Sequence, residues 1–413
     1  MKLSEVFEKL RIDKSYLVIV EPNWERSVAT LPVATPVFLT KNGLQSTGEY
    51  CQIDQVTLES LQQMAIVVLA DSELILLAWH FHQALCTYPE EATNFAQWPT
   101  LDDALGEHSG LFYLLVALDT VPVMQKKYRQ LNIPEAIIKN TLLQLKAFNE
   151  SYKIGYDGRS GLEVSRANWL RHYIEGRLFR LGRMEYRFRE MPDFVEVYRH
   201  NIDQSIITLV GNKLNFDVDG YVTRNPSETV WSSAAVTTTV TTITGTQVSP
   251  LGFSLNREKK LKRAEWSCVL CEGDTVIDMH IPGGGGLSLE ACGDSMCQAV
   301  DFFATYFPKV KTTVIYCASW IFNTQLKTIV PDSNLVKFMN ELFLFPIDAE
   351  PDIGFYFVFC RKYGELENPP RTTRLQRGML DILESGGRLR AGGMLFFNDD
   401  ISNFGSQIYL NDK

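Results

Sequence analysis

The chain has 413 residues, of which 45% are hydrophobic, 11% aromatic and 22% charged, a composition typical of a folded globular protein. Its 49 acidic and 40 basic residues give a net charge of −9, which argues against binding to nucleic acid or to an anionic membrane surface. No apolar run reaches roughly 18 residues and no basic, apolar signal segment opens the sequence, so we expect a cytoplasmic protein.

The first part of the chain, residues 1–164, is predicted to be a mostly helical domain. Apolar residues recur at helical spacing in four stretches, 3–10, 58–79, 101–119 and 133–150. Two short segments at the head of this domain, Tyr16–Val20 and Val37–Thr40, predict a small strand pair instead. Because His80 and His82 alternate, they do not share one face of a helix, and we interpret both as ordinary, semi-buried histidines.

A second domain is predicted from residue 165 to residue 413, after a glycine-containing break at 154–161. A helix over 166–181 and a strand at Met184–Phe188 open it. The Thr/Val-rich stretch at about 221–250 reads as an insertion that forms a long exposed hairpin or a lid, with disorder as the alternative. As a dimer arm, this hairpin would make the protein a homodimer.

The rest of the second domain alternates strands and helices. A strand at Ala264–Cys271 and its partner at Val276–Ile281 are predicted to form a hairpin. Further elements follow in chain order: a helix after Ser288, a strand at Thr312–Trp320, a helix after Ser333, a strand at Ile353–Cys360, a helix at Thr373–Leu383 and a strand at Arg388–Phe397. The predicted fold class is therefore α+β or α/β, a helical domain followed by a mixed sheet flanked by helices.

Four consecutive glycines form the most informative local pattern. The strand Val276–Ile281 runs through Pro282 into Gly283–Gly286, and Ser288 then offers an N-cap to a helix. Glycines permit close backbone approach, and the first N–H groups of a helix favour an anion. The pattern predicts a loop for a phosphate-bearing cofactor; a tight strand-to-helix turn without a ligand is the alternative. Neither the dinucleotide-binding nor the P-loop fingerprint is present.

The strand–loop–helix–strand order predicts that Val276–Ile281 and Thr312–Trp320 are parallel neighbours. Their carboxyl ends would then border one crevice, where ligands bind in such sheets. His280 ends the first strand and can take up a proton near neutral pH. The end of the second strand adds hydroxyl, thiol and indole groups at Tyr316, Cys317, Ser319 and Trp320.

These segments carry a family resemblance. His280–Leu287, Cys317–Trp320 and Leu181–Arg183, in this order of elements, resemble GNAT-type acyltransferase-domain proteins, and more narrowly the bacterial subgroup with a helical N-acyltransferase N-terminal domain and a GNAT-like C-terminal domain. The resemblance implies an acyl-CoA donor bound between two splayed parallel strands. It also implies that the cofactor-binding residues are Ile281, Gly283, Gly284, Gly285, Gly286, Leu287, Ser288 and Trp320.

The resemblance further implies that an amine attacks the thioester of acyl-CoA directly. Such a reaction needs a base for the incoming ammonium and an acid for the leaving thiolate. We predict His280 as the base, or Asp278 acting through a water, and Tyr316 or Ser319 as the acid or orienting donor. The acceptor would be a small-molecule or peptide amine.

Two other functions fit the same residues. Cys317 and His280 can form a cysteine-dependent hydrolase or acyl-enzyme transferase if the thiol and imidazole meet across adjacent strands. Alternatively, the protein is a GNAT-like module that binds a ligand without catalysis. No metal is predicted, because Cys268 and Cys271 lie inside a strand-like run and the eight cysteines fit reduced, buried thiols.

Overall fold

The computed structural model describes residues 1–88 and 93–411, and their contacts divide the chain into two units. The first unit comprises residues 1–180 with 282–284, and the second comprises residues 181–281 with 285–413. A helical N-terminal region is therefore followed by a region of mixed sheet and helix, which confirms the predicted α+β class.

Helices form nearly all of the first unit. They are α1 (Leu3–Lys9), α2 (Leu17–Val20), α3 (Trp24–Ala29), α4 (Lys41–Tyr50), α5 (Gln55–Ala70), α6 (Ser72–Cys86), α7 (Asp102–Leu105), α8 (Ser109–Gln130), α9 (Glu135–Leu142), α10 (Gln144–Gly155) and α11 (Ala167–Ile174). The boundary predicted after residue 164 precedes α11, which the contacts assign to the first unit. The helix predicted over 166–181 ends at Ile174, and a left-handed Gly176 follows it.

Helix α8 forms the centre of this unit. Every side chain from Leu111 to Leu118 is buried, as expected for a helix that is apolar on all sides. Among the described residues no single helix is long and apolar enough to cross a membrane. Helices α5 and α6 together are long and apolar enough, by length and composition only, but the chain bends by 115° between them.

The two strands predicted near the N-terminus are wrong. Residues 14–20 form a 3₁₀ turn and α2, and Val37–Leu39 form another 3₁₀ turn. The Asp13 carboxylate accepts a hydrogen bond from the Ser15 N–H at 2.8 Å and caps the first of these turns. Local capping therefore outweighs the strand preference of the β-branched residues that follow.

His80 and His82 have opposite electrostatic environments within α6. His80 is buried and hydrogen-bonded to the Ser27 hydroxyl and the Val20 carbonyl, and burial lowers its pKa to about 4. Burial also opposes a charge on His82, but its hydrogen bonds to Asp119 (2.7 Å) and Cys86 outweigh this effect and raise its pKa to about 10. His82 is therefore a half-buried cation paired with a carboxylate.

We expect the His82 pair to make the stability of the first unit depend on pH. Because the folded pKa of His82 lies above the unfolded value of about 6.5, its contribution is complete below that value and is lost as the pH rises towards 10. Asp119→Asn should remove about 1.5–3 kcal/mol at pH 6.5 and much less at pH 9.5. Urea unfolding at both pH values measures this, and an equal loss at both would contradict it.

The second unit contains strands and shorter helices. Its strands are β2 (Met184–Glu190), β3 (Val195–His200), β4 (Ile206–Val210), β5 (Asn215–Phe216), β6 (Trp231–Ser232), β7 (Thr237–Thr238), β8 (Thr242–Ser249), β9 (Phe253–Lys262), β10 (Trp266–Leu270), β11 (Thr275–His280), β12 (Val314–Ser319), β13 (Phe343–Ile347) and β14 (Ala391–Phe397); the short β1 (Phe179–Leu181) precedes them. Its helices are α12 (Leu289–Tyr306), α13 (Leu326–Ile329), α14 (Asn334–Met339), α15 (Phe355–Phe359), α16 (Arg374–Glu384) and α17 (Ile408–Asn411).

One mixed sheet of the second unit contains the strands that flank the glycine loop. Five of its six strands lie in the order β2-β11-β12-β14-β13, and only the β11–β12 pair among these five is parallel. This confirms the predicted parallel neighbours. A second, antiparallel sheet has the order β10-β3-β4-β8-β7, with β9 paired to β8, and β5 and β6 form a separate ribbon.

The predicted hairpin between the two strands that flank residues 272–274 is wrong. Strand β10 pairs with β3 in the antiparallel sheet, whereas β11 pairs with β2 and β12 in the mixed sheet. The turn therefore carries the chain from one sheet to the other. The Thr/Val-rich insertion does contain a hairpin, β7 with β8, but β8 also pairs with β4 and β9 and is part of the antiparallel sheet.

The strand predicted at Ile353–Cys360 is also wrong, because these residues contain α15. Phe355 and Phe359, one helical turn apart, pack into a local apolar cluster with residues of α16. The strand beside β14 is instead β13, which the sequence analysis missed. Pro346 weakens its strand signal, and its position at the edge of the sheet explains why a proline is tolerated there.

Candidate active site

The parallel strands β11 and β12 separate at their carboxyl ends. Their pairing consists of two residue pairs, Ile277 with Ile315 and Asp278 with Tyr316. Beyond that point β11 stays paired with β2 as far as His280, and β12 stays paired with β14 as far as Ser319. The two strand edges therefore leave an opening that can accept an extended ligand between them.

Asp278 lies where this opening begins and carries most of the local charge interactions. Its side chain is buried, and its Oδ2 atom lies 2.9 Å from His280 Nε2, 3.0 Å from Arg187 Nε and 4.0 Å from Arg189 Nη1. Burial would raise the pKa of this carboxyl. The hydrogen bond to His280 and the charge of Arg187 oppose burial and lower the pKa below its ordinary value, so Asp278 is ionised.

The contact with Asp278 assigns the tautomer of neutral His280. An ionised carboxylate only accepts hydrogen bonds, so the hydrogen must be on Nε2 and the basic lone pair on Nδ1. The His280 side chain is 24% exposed, whereas Asp278 is only 2% exposed. The histidine can therefore exchange a proton with a bound substrate while the carboxylate holds the ring in place.

The Tyr316 hydroxyl is a buried hydrogen-bonding group without a partner among the described residues. Tyr316 is the register partner of Asp278 and its side chain is fully buried. Burial raises the pKa of its hydroxyl, which is therefore a donor at neutral pH. Leaving such a group unsatisfied costs about 1–3 kcal/mol, a cost that a ligand atom accepting from it would offset.

Cys317 lies on the other face of the sheet. Successive side chains of a strand point to opposite faces, so Cys317 and Tyr316 diverge. The face opposite Asp278 packs on α12, where the Tyr186 hydroxyl lies 2.9 Å from Ser295 Oγ. Burial also raises the pKa of the Cys317 thiol well above its ordinary value. The structure therefore does not bring Cys317 to His280, the pair that a cysteine-dependent hydrolase requires.

Ser319 and Trp320 lie at the carboxyl end of β12, in the predicted place. Ser319 Oγ accepts a hydrogen bond from the Ile321 N–H at 3.3 Å and caps the short turn that follows the strand. The Trp320 ring stacks on Phe357, with 6.2 Å between the ring centroids and 11° between the planes. Ser319 thus has a structural partner, and the Trp320 ring packs against Phe357.

The glycine loop has the backbone geometry that its sequence predicts. Gly284 and Gly285 adopt φ values of +75° and +70°, which disfavour any other residue. Arg183 Nε donates a hydrogen bond to the Gly286 carbonyl at 2.9 Å, which places a cationic side chain at the loop. Ser288 caps α12 by accepting from the Ala291 N–H at 3.2 Å, which confirms the predicted cap.

Three arginines of this region, Arg183, Arg187 and Arg189, were missed as candidate site residues by the sequence analysis. Arg187 and Arg189 are two positions apart, so β2 directs them to one face, and this period is visible in the sequence, whereas Arg183 immediately precedes the strand. The pairing of β2 with β11 joins segments that are distant in the sequence, so the sequence alone does not reveal it. Among residues 1–88 and 93–411, no group of three or more His, Cys, Asp or Glu side chains is arranged to hold a metal ion.

Comparisons with known proteins cover nearly the whole chain. The model of the N-acyltransferase N-terminal domain matches residues 43–176, and the model of the GNAT-like C-terminal domain matches residues 178–395. No curated protein is similar enough to count as a match.

Several crystal structures of acyltransferases have a similar fold. One in complex with decanoyl-CoA and teicoplanin has a TM-score of 0.65 at 18% identity, covering 96% of this chain and 99% of that chain. Others with the same coverage hold CoA and 10C-teicoplanin (TM-score 0.64, 18% identity) or decanoyl-CoA (TM-score 0.61, 19% identity). At this level of identity the likeness establishes a shared fold.

Proposed function

Because the chain belongs to the family of proteins with a GNAT-like C-terminal domain, we propose that it is an N-acyltransferase that transfers an acyl group from acyl-CoA to an amine of a small-molecule acceptor. The observation that carries this proposal is the separation of β11 from β12 directly beside the buried Asp278 and its partly exposed partner His280. The decanoyl-CoA and teicoplanin held by proteins of the same fold support the donor class and the small-molecule acceptor.

In this proposal the donor lies along the opening between the two strands. The amide groups of its pantetheine arm would pair with the backbone edges of β11 and β12. Its pyrophosphate would lie on Gly283–Gly286 and the N–H groups of Leu287 and Ser288, where α12 begins and the Arg183 cation lies close by. Ile281 and Trp320 would form walls beside the arm.

The acceptor loses protons in two steps. His280 Nδ1 first removes a proton from the ammonium, while Asp278 holds the ring and stabilises the resulting imidazolium. The neutral amine then attacks the thioester carbon, so that a C–N bond forms and the C–S bond breaks. The second N–H proton passes to the leaving sulfur. Tyr316 donates a hydrogen bond to the charge that develops on the thioester, and Ser319, already used as a cap, is the weaker candidate for this role.

The direct test is release of free CoA thiol from decanoyl-CoA in the presence of a panel of amines. We expect thiol release that depends on the amine, with a product heavier than the amine by one acyl group. Release that never exceeds the rate without amine, with any acyl-CoA from acetyl to decanoyl, would contradict the proposal.

Replacing both left-handed loop glycines should weaken donor binding. Valine disfavours the φ values of Gly284 and Gly285 and would move the backbone of the loop. We expect the Gly284→Val, Gly285→Val variant to bind decanoyl-CoA at least about tenfold less tightly, equivalent to about 1.4 kcal/mol, in a calorimetric titration. Gly273→Val is the matched control, because Gly273 has φ +83° and open space around it in another turn. Equal affinities of the two variants would refute the assignment of the loop.

A further inference from the structure

Two arginines of β2 lie on the face of the mixed sheet that carries the Asp278 side chain. In the register of the sheet, Arg187 pairs with Asp278, and Arg189 pairs with Val276, two residues earlier on β11. Cross-strand partners and alternate residues of a strand share one face. Both guanidinium groups are therefore directed to the side of the sheet on which His280 lies, the side from which an acceptor amine would reach this base.

The charges of the two arginines are compensated to different extents. Arg187 Nε donates to Asp278 Oδ2 at 3.0 Å, and the Arg187 side chain is 18% exposed. Arg189 Nη1 lies 4.0 Å from the same oxygen atom, at the outer limit of an ion pair, and its side chain is 42% exposed. Within residues 1–88 and 93–411, Arg189 donates no hydrogen bond to the protein. The N–H groups of its guanidinium are therefore available to a ligand.

A second carboxyl group on this face, that of Glu185, is too far away to compensate Arg189. Glu185 is the register partner of His280 and lies four residues before Arg189 on β2, which is about 13 Å along an extended strand. The face therefore has a carboxyl group beside His280 and a guanidinium group beyond Asp278. This arrangement is complementary to a ligand with an ammonium at one end and an anion at the other.

A buried hydroxyl next to Arg189 provides a second indication of a ligand. The Arg189 guanidinium lies over the Tyr316 ring, with Cζ 5.8 Å from the ring centroid. Burial raises the pKa of the Tyr316 hydroxyl and the charge of Arg189 opposes this rise, so the two groups interact. The hydroxyl has no hydrogen-bond partner in the described parts of the chain. In the proposed reaction its partner is the thioester oxygen, which places the reacting carbon close to Arg189.

We propose that Arg189 binds a carboxylate of the acceptor, so that the preferred acceptor is a short amino acid instead of a simple amine. This inference rests on the proposed acyl transfer and names its acceptor class. Arg189 Nη1 and His280 Nε2 lie 4.0 Å and 2.9 Å from Asp278 Oδ2, so only a few bonds separate the carboxylate of the acceptor from its amine. A guanidinium group can bind a carboxylate through two parallel hydrogen bonds. Arg189 thereby determines specificity and takes no part in proton transfer.

The test compares 4-aminobutyrate with 4-aminobutanamide, which have the same length but differ in the carboxylate, with decanoyl-CoA as donor. We expect the wild-type kcat/KM to favour 4-aminobutyrate by at least about tenfold, equivalent to about 1.4 kcal/mol. Arg189→Gln should lose this preference through a higher KM for 4-aminobutyrate, with little change for the amide. Arg189→Lys keeps the charge without the paired hydrogen bonds and should retain part of the preference.

Arg257→Gln is the matched control. Arg257 is exposed on β9 of the antiparallel sheet and donates to Gln247. We expect this variant to keep the wild-type kcat/KM for both amines. Both glutamine variants should melt within about 2 °C of the wild type, because exposed arginines contribute little to stability. A loss of preference in Arg189→Gln would then not result from unfolding.

A binding measurement without acyl donor separates the failure of this subsite from the failure of the proposed function. In saturation-transfer NMR with the full chain, 4-aminobutyrate should give a stronger signal than 4-aminobutanamide, and Arg189→Gln should remove the difference. Binding that depends on Arg189 without any turnover would refute acyl transfer and support the subsite. In either assay, no preference of the wild type for the acid over the amide would overturn the subsite, and so would an unchanged preference in Arg189→Gln.

Discussion

Replacing His280 by glutamine is expected to lower kcat/KM for acyl transfer by about 100- to 10,000-fold, the range attributed to general-base catalysis. Glutamine retains a group that can donate to Asp278 but cannot take a proton from the acceptor ammonium. Because the donor would be held by the loop and the strand edges, its affinity should stay within about twofold of the wild type. Steady-state kinetics with saturating decanoyl-CoA, combined with a titration of donor binding, measure both quantities.

His200→Gln provides the matched control. His200 ends β3 in the antiparallel sheet and also contacts a carboxylate, Asp203, at 2.9 Å between Nδ1 and Oδ1. We expect this variant to transfer acyl groups at the wild-type rate. Activity of His280→Gln within threefold of the wild type would exclude His280 as the base and leave a water-mediated role for Asp278.

The second large effect is expected on stability. Asp278→Ala leaves Arg187 and His280 without their shared, buried carboxylate, and removing one partner of a buried pair costs about 3–5 kcal/mol. In a unit of this size each kcal/mol lowers the melting temperature by about 2–4 °C, so we expect a loss of about 10 °C. Asp278→Asn, which keeps a hydrogen-bond acceptor, should lose less. Calorimetric melting of the full chain measures both values.

An exposed aspartate provides the control for the loss of stability in Asp278→Ala. Asp381 contacts Arg371 at 2.8 Å, but its side chain is 68% exposed, and surface pairs of this kind contribute less than about 1 kcal/mol. Asp381→Ala should therefore change the melting temperature by only about 1–2 °C. Equal melting temperatures of Asp278→Ala and Asp381→Ala would show that the contacts of Asp278 with Arg187 and His280 do not stabilise the fold.

The segment from β11 through the glycine loop and α12 to β12 is predictable because its sequence signals are local. Each signal consists of a few consecutive residues: an alternating strand, four glycines and a serine at the start of an apolar helix. A crossover of this kind also dictates parallel strands, so the position of His280 and Tyr316 at one edge follows from chain order alone. The separation of β11 from β12 was expected only from the family resemblance.

Other features depend on contacts between distant segments. That β11 pairs with β2, and so brings Arg187 to Asp278, cannot be inferred from either strand by itself. The stretch Phe355–Phe359 has a strong strand propensity, yet packing against α16 makes it helical. The position of Cys317 was predictable from the sequence, because side chains alternate along β12 and Cys317 therefore faces away from Tyr316. The hypothesis that paired Cys317 with His280 neglected this alternation.

Hydrogen exchange with and without decanoyl-CoA tests the central claim most directly, that the donor lies between β11 and β12. Pairing with the donor should protect the amides of Met279–His280 and Cys317–Ser319, and loop binding should protect Gly283–Ser288. The amides of the antiparallel sheet should exchange at unchanged rates. Protection confined to other segments, or no protection at saturating decanoyl-CoA, would contradict the placement of the donor.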